Sequence, residues 1–261
     1  MRHCSALFVA FMGIATLLGS SGFADPPKTD AAADQGKTAR QSRSKKPRPE
    51  YELPQVRSEL PNVLLIGDSI SIGYTLPVRK LLDGKANVFR PQTNCGPTLN
   101  GLKNLDAWLG DRKWDVIHFN FGLHDLKYMG PNGENLQDPK LPTSHQQVPI
   151  EQYEENLRVI AKRLKQTGAV VIWRETTPVP SGAGGRVPGD AARYNEAAAR
   201  VIAELGGIET DPMHRYASVD PIRGLQRPSN VHYTAEGSQM LAQKVSEMIL
   251  KALESKAASE Q

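Results

Sequence analysis

Cysteine is almost missing from this chain: 261 residues hold two, Cys4 and Cys95. Residues 1–24 read as a secretory signal, with a polar start at Arg2-His3, an apolar stretch over 6–18 and small residues around Gly22-Phe23-Ala24. Cys4 precedes the apolar stretch and is therefore not a lipoprotein cysteine. Cleavage would leave Cys95 alone. One thiol cannot close an intramolecular disulfide, so the fold must rest on its hydrophobic core, with Cys95 read as a small buried hydrophobe. Long apolar runs are also missing: past the signal, nothing reaches the roughly 18 residues a membrane-spanning helix needs. These features predict an exported protein, periplasmic or secreted, with no membrane span after signal cleavage.

A charge imbalance is lacking where it would matter. The formal net charge is +4, but residues 24–57 carry eight Lys/Arg against five Asp/Glu, and residues 58–261 carry 23 of each. The folded part is neutral, which argues against a nucleic-acid groove. Metal-binding spacing is absent too: the six histidines form no His-x-x-x-His and the cysteines no Cys-x-x-Cys, so neither metal nor cofactor is expected. Residues 25–57 are rich in Pro, Ala, Lys, Arg and Ser and poor in large apolar side chains, the composition of a disordered basic linker.

From residue 58 to about 256 the pattern changes to short apolar runs alternating with amphipathic ones. Strands are predicted at 62–66, 87–89, 115–121, 169–174 and 208–210, and helices at 72–82, 99–109, 150–166, 190–205 and 235–253. Leu157, Ile160, Ala161 and Leu164 repeat at helical spacing, and Gly168 stands where a helix would end. This alternation predicts a three-layer α/β/α sandwich with a mostly parallel central sheet. In such sheets ligands bind beyond the carboxyl ends of the strands. The unusual residues gather there: Gly67-Asp68-Ser69 after the first strand, Cys95-Gly96 after the second, Gly122-Leu123-His124-Asp125 after the third, and His232 before the last helix. A serine hydroxyl on a sharp strand-to-helix turn, with a histidine from a distant loop to take its proton, suggests a serine hydrolase.

In these blocks the chain resembles the SGNH (GDSL) hydrolase superfamily over residues 62–250, and in particular a bacterial subgroup with a Gly-Leu-His-Asp third block. The resemblance implies Ser69 as nucleophile, His232 as general base, and the backbone N–H groups of Ser69 and Gly96 as oxyanion donors. Two departures stand out. His124 occupies the place where the family has Asn, and an imidazole N–H can donate one hydrogen bond much as an amide does. His124 is therefore expected to be the third oxyanion donor. Asp125 is expected to fix its loop rather than to react. Three residues before His232, where the family has Asp, stands Ser229. The candidates for orienting His232 are the loop's own carbonyls or Ser229, giving a dyad; Asn230 as a neutral orienter; or a carboxylate from elsewhere, Asp211 or Asp220. The dyad is the preferred reading.

Two Gly/Pro-rich segments, 126–148 and 179–189, are long for a compact domain, and the first is expected to wall the substrate site. Trp108, Trp114 and Trp173 are expected in the core. The whole predicts an exported serine esterase acting on short-chain acyl esters, including O-acetyl groups on carbohydrates, through an acyl-enzyme. The alternative is a catalytically lapsed hydrolase fold that binds carbohydrate or cell envelope.

Overall fold

The structure, a computed structural model, describes residues 48–259. The expected signal at 1–24, Cys4 and most of the expected linker lie outside the described residues. Residues 48–57, assigned by composition to that linker, instead lie against the body. Pro49–Tyr51 forms a 3₁₀ turn, and the Tyr51 ring has Arg48 and Arg90 guanidinium carbons 5.2 and 5.4 Å from its centre. Arg57 exchanges two backbone hydrogen bonds with the Asn87 side chain, at 2.9 and 2.8 Å. Composition underestimates this stretch because its partners, Asn87 and Arg90, come from elsewhere in the chain.

The strands in chain order are β1 (Asn62–Ile66), β2 (Asn87–Phe89), β3 (Val116–Phe119), β4 (Tyr128–Met129), β5 (His145–Gln146), β6 (Val170–Arg174) and β7 (Glu209–Asp211). The helices are α1 (Ser69–Leu81), α2 (Thr98–Leu109), α3 (Ile150–Lys165), α4 (Asp190–Leu205), α5 (Met213–Ala217) and α6 (Ala235–Ser259). Five strands form one parallel sheet in the order β2-β1-β3-β6-β7, with Leu64 beside Ile117 and Ile117 beside Val171. All three of those side chains are buried, as expected for a sheet covered on both faces. Helices α1 and α6 pack together on one face, and α2, α3 and α4 form the other layer. This is the three-layer α/β/α sandwich.

Strand order reverses at β1: the chain runs out to β2 and then returns to β3 on the other side. The connections leaving the carboxyl ends of β1 and β3 diverge, which opens a crevice at that edge. Ser69 follows β1 directly, and His124 lies on the segment leaving β3. Elsewhere the elements agree with the periodicity and differ at their ends. Helix α1 begins three residues before the expected start because Asp68 caps it. Helix α6 runs on to Ser259 through Glu, Lys and Ala, good helix formers that carry no apolar stripe. The 126–148 segment contains the short antiparallel pair β4–β5, too brief for a period-two pattern to show.

Layer spacing on the α2–α3 side depends on Gly101. A Cβ there would sit 2.6 Å from Ile160 Cδ1 and 2.9 Å from Phe121 Cζ. Gly101→Ala is therefore expected to destabilise the fold by about 1–3 kcal/mol, despite the better helix propensity of Ala, as measured by urea unfolding.

Candidate active site

The β1–α1 turn places Ser69. A Cβ on Gly67 would lie 2.9 Å from Ser71 Cβ, so this corner accepts only glycine without displacement. Asp68 is the N-cap: its Oδ1 accepts from the Ile70 N–H at 2.9 Å. Capping is thus done by the aspartate, and the Ser69 hydroxyl is left for other work. Ser69 is the first residue of α1, so its N–H has no acceptor within the helix and sits at the positive end of the helix dipole.

Behind this turn lies Arg90, 4% exposed. All five of its N–H groups find oxygen: Gly67 O at 3.3 Å, Ser71 Oγ at 3.1 Å, Thr75 Oγ1 at 3.0 Å, Thr93 O at 3.1 Å and Pro91 O at 3.2 Å. One guanidinium thereby joins the turn before Ser69 to the loop that carries Gly96.

His232 Nε2 lies 2.8 Å from Ser69 Oγ, across 163 positions of sequence. Its Nδ1 lies 2.7 Å from Asn230 Oδ1, and the same oxygen accepts from the His232 backbone N–H at 2.9 Å. That backbone N–H can only donate, so the amide atom facing it must be the oxygen. The oxygen in turn requires the proton on Nδ1, leaving the Nε2 lone pair directed at Ser69. Burial lowers the His232 pKa below its ordinary 6.5, with Asp68 pulling the other way and Arg186 and Arg227 adding to the decrease.

Of the candidate orienters, Asn230 makes the contact. Ser229 does not: it is a turn residue at φ 51°, and its Oγ would lie 2.6 Å from a Cβ on Gly182, so it faces the neighbouring loop. Asp211 is also remote, because β7 carries it into the interior, where its Oδ2 meets His118 Nε2 at 3.0 Å. Asp220 pairs with Arg223 at 2.8 Å on the surface. In place of the preferred dyad, Ser69, His232 and Asn230 stand in one chain of hydrogen-bond contacts. An Asx turn reaches from residue i to i+2, and this local geometry lets Asn230 serve where an aspartate one residue earlier is the family's habit.

Gly96 has φ +65°, which favours glycine, and its N–H is held by Asn94 Oδ1 at 3.0 Å. The expected oxyanion donor is thus engaged by a neighbouring amide, which shares a cavity with Ser69 and His232. His124 is half-buried, and burial lowers its pKa below 6.5, with Asp68 opposing. Asp125 fixes its loop as expected: Oδ1 accepts from the Thr98 N–H at 2.8 Å and from Thr98 Oγ1 at 2.5 Å. Burial pushes the Asp125 pKa up to about 7.

Two cavities, of about 410 and 480 Å³, meet along the Ser69–Gly73–Pro77 face of α1 and both include His232. The larger is walled by Arg48, Glu50 and Tyr51, residues that sequence reading leaves in the linker. Pro77 has no N–H to offer the Gly73 carbonyl, and both residues line the two cavities. No residue of 126–148 lines either cavity; that segment and 179–189 instead bound a separate space of about 700 Å³. Arg90 and Asn94 are the other residues sequence reading misses. An arginine closing an apolar strand beside the first block is the one signal that points to Arg90.

The GDSL-like lipase/acylhydrolase family model matches residues 63–245. The chain belongs to that family. Among solved structures, this GDSL hydrolase superposes on an acetyl xylan esterase with TM-score 0.58 at 12% identity, covering 72% of this chain and 99% of the other. The lipase/acylhydrolase from Enterococcus faecalis gives TM-score 0.58 at 17% identity, covering 73% and 95%. A GDSL-like lipase from Bacteroides thetaiotaomicron gives 0.57 at 14%, covering 78% and 94%. At these identities the likeness is one of fold. No curated protein matches the chain.

Nitrogen-15 NMR of the histidine rings should show His232 as the Nδ1–H tautomer, titrating below pH 6.5. In Asn230→Ala that tautomer preference should disappear; a preference unchanged from wild type would contradict the Asn230 contact.

Proposed function

We propose that the protein is an exported serine esterase hydrolysing short-chain acyl esters through an acyl-enzyme, with Ser69 as nucleophile and His232 as base. The observation that carries this reading is the 2.8 Å contact between Ser69 Oγ and His232 Nε2, with the imidazole tautomer set by Asn230. In acylation, His232 Nε2 takes the Ser69 proton as Oγ adds to the ester carbonyl. The Ser69 N–H at the start of α1 and the His124 ring stabilise the oxyanion, joined by the Gly96 N–H once Asn94 yields it. On collapse, His232 returns the proton to the departing alkoxide, and the same steps run with water as nucleophile release the acid. No residue in this cycle needs a metal or cofactor. Two moderate cavities on either side of Ser69 suit a short acyl group and a small alcohol such as a sugar ring. O-acetylated carbohydrate is the substrate we favour, in keeping with the fold shared with an acetyl xylan esterase. The signal at 1–24 is the basis for export. A lapsed, purely binding protein is not favoured, since the Ser69–His232 contact and the Asn230 amide on the ring support a reactive site.

On a short-chain activated ester, Ser69→Ala and His232→Ala should each lower kcat by about 10⁴-fold or more. His124→Ala should lower it by roughly 10²–10³-fold, the usual cost of one oxyanion donor, and a normal kcat would remove His124 from the hole.

The base must be neutral, so kcat/KM should fall as pH drops through the His232 pKa, giving an acid limb below pH 6.5. Asn230→Asp sets a carboxylate beside the imidazolium and should move that limb up by about one unit. An unmoved limb would show that residue 230 does not act on the base.

A further inference from the structure

Gly73 stands exposed inside α1, one helical turn, or about 6 Å, beyond Ser69. Glycine lowers helix stability, so its presence there needs a reason. The backbone gives none, since its φ lies outside the left-handed region. Packing gives little: a Cβ would lie 3.2 Å from Ser238 Oγ, a contact that rotation of the hydroxyl relieves. What the glycine leaves open is a notch in the wall of the cavity of about 410 Å³ that contains Ser69 and His232.

The same cavity holds polar groups that are not engaged. Arg227, Ser238 and Gln239 line it, and their side chains make no hydrogen bond or ion pair among the described residues. Ile70, Pro77 and Ala235 add apolar surface. The neighbouring cavity of about 480 Å³ differs. Its charged residues, Arg48 and Glu50, pair with each other, and Asn94 Oδ1 holds the Gly96 N–H. Ile72 and Leu76 give that cavity an apolar strip along α1. An acyl group needs no hydrogen bond beyond its carbonyl and fits there. A hydroxylated ring has apolar C–H faces and a polar edge, the two kinds of surface the cavity beside Gly73 offers.

We propose that the alcohol part of the ester is a hydroxylated sugar ring seated over Gly73, with Arg227, Ser238 and Gln239 hydrogen-bonding its hydroxyls. This rests on the esterase reading above and names the residues that select the alcohol. An arginine fork and a glutamine amide can each bridge two neighbouring hydroxyls. One helical turn from Ser69 to Gly73 is on the order of the width of a six-membered ring.

The test uses the full chain and a ratio, which does not depend on the fraction of protein that is active. The three monoacetates of methyl β-D-xylopyranoside are compared with cyclohexyl acetate, a ring of the same size without hydroxyls. Each kcat/KM is divided by the ester's alkaline hydrolysis rate. At least one sugar ester should be preferred about tenfold or more, the scale of two retained hydrogen bonds. That preference should fall several-fold in Gly73→Ala, which fills the notch, and in the triple variant Arg227→Met, Ser238→Ala, Gln239→Met. No preference for any of the three sugar esters, or a preference that the triple variant keeps, would overturn the proposal. A preference lost in Tyr51→Ala but kept in the triple variant would put the sugar in the other cavity and overturn it too. If no ester is cleaved, the esterase reading fails, and NMR titration with methyl β-D-xylopyranoside decides the sugar site separately. A saturable shift of the Gln239 side-chain amide signal upholds it; an unmoved signal overturns it.

Discussion

The site depends on one buried guanidinium. Among the described residues Arg90 has no carboxylate partner; its five N–H groups are taken by three carbonyls and two hydroxyls from the turn before Ser69, the first two turns of α1 and the loop after β2. Four of these acceptors, on Gly67, Ser71, Thr75 and Pro91, belong to buried residues and would be costly to leave unpaired. The arginine thereby holds the Gly67 corner, the start of α1 and the approach to Gly96 in one arrangement. Tyr51 lies against the same guanidinium, so the segment before the family's span is tied to the cleft through that residue.

The electrostatics of the pair differ from those of a carboxylate triad. An asparagine sets the tautomer of His232 but adds no negative charge to stabilise the imidazolium. Arg186 and Arg227 disfavour that cation further, and Asp68 is the carboxylate that opposes them. As the proposed base, His232 is therefore weaker than one paired with aspartate, and remains neutral at lower pH. In the proposed reaction the start of α1 compensates, because a helix N-terminus favours the negative charge that develops on the substrate oxygen.

How much was legible follows from how local each signal is. Strands β1 and β2 and helix α4 have the ends the pattern predicts, since apolar runs and glycine stops are properties of neighbouring residues. The β1–α1 turn was legible for the same reason. His232 could be named by its place in an ordered series of blocks, although nothing local to Val231-His232-Tyr233 says what it touches. Its orienter was one of several candidates that sequence could not separate. Residues 229 and 230 differ by one position, and which of them faces the ring is decided by the positive φ at Ser229. Asp211, an eligible carboxylate by sequence, is taken into the interior by β7, where its Oδ2 meets His118.

By itself, then, the sequence determined the layered α/β architecture, the Gly-Asp-Ser corner after β1 and the distant histidine that meets Ser69, because these rest on periodicity, turn chemistry and motif order along the chain. Only the tertiary structure decided that Asn230 holds the imidazole, that Asn94 engages the Gly96 N–H and that Arg90 joins the two loops. It also placed Arg48, Glu50 and Tyr51 as a wall of the cleft. Those relations depend on backbone torsions and on partners from separate strands, which no local pattern records.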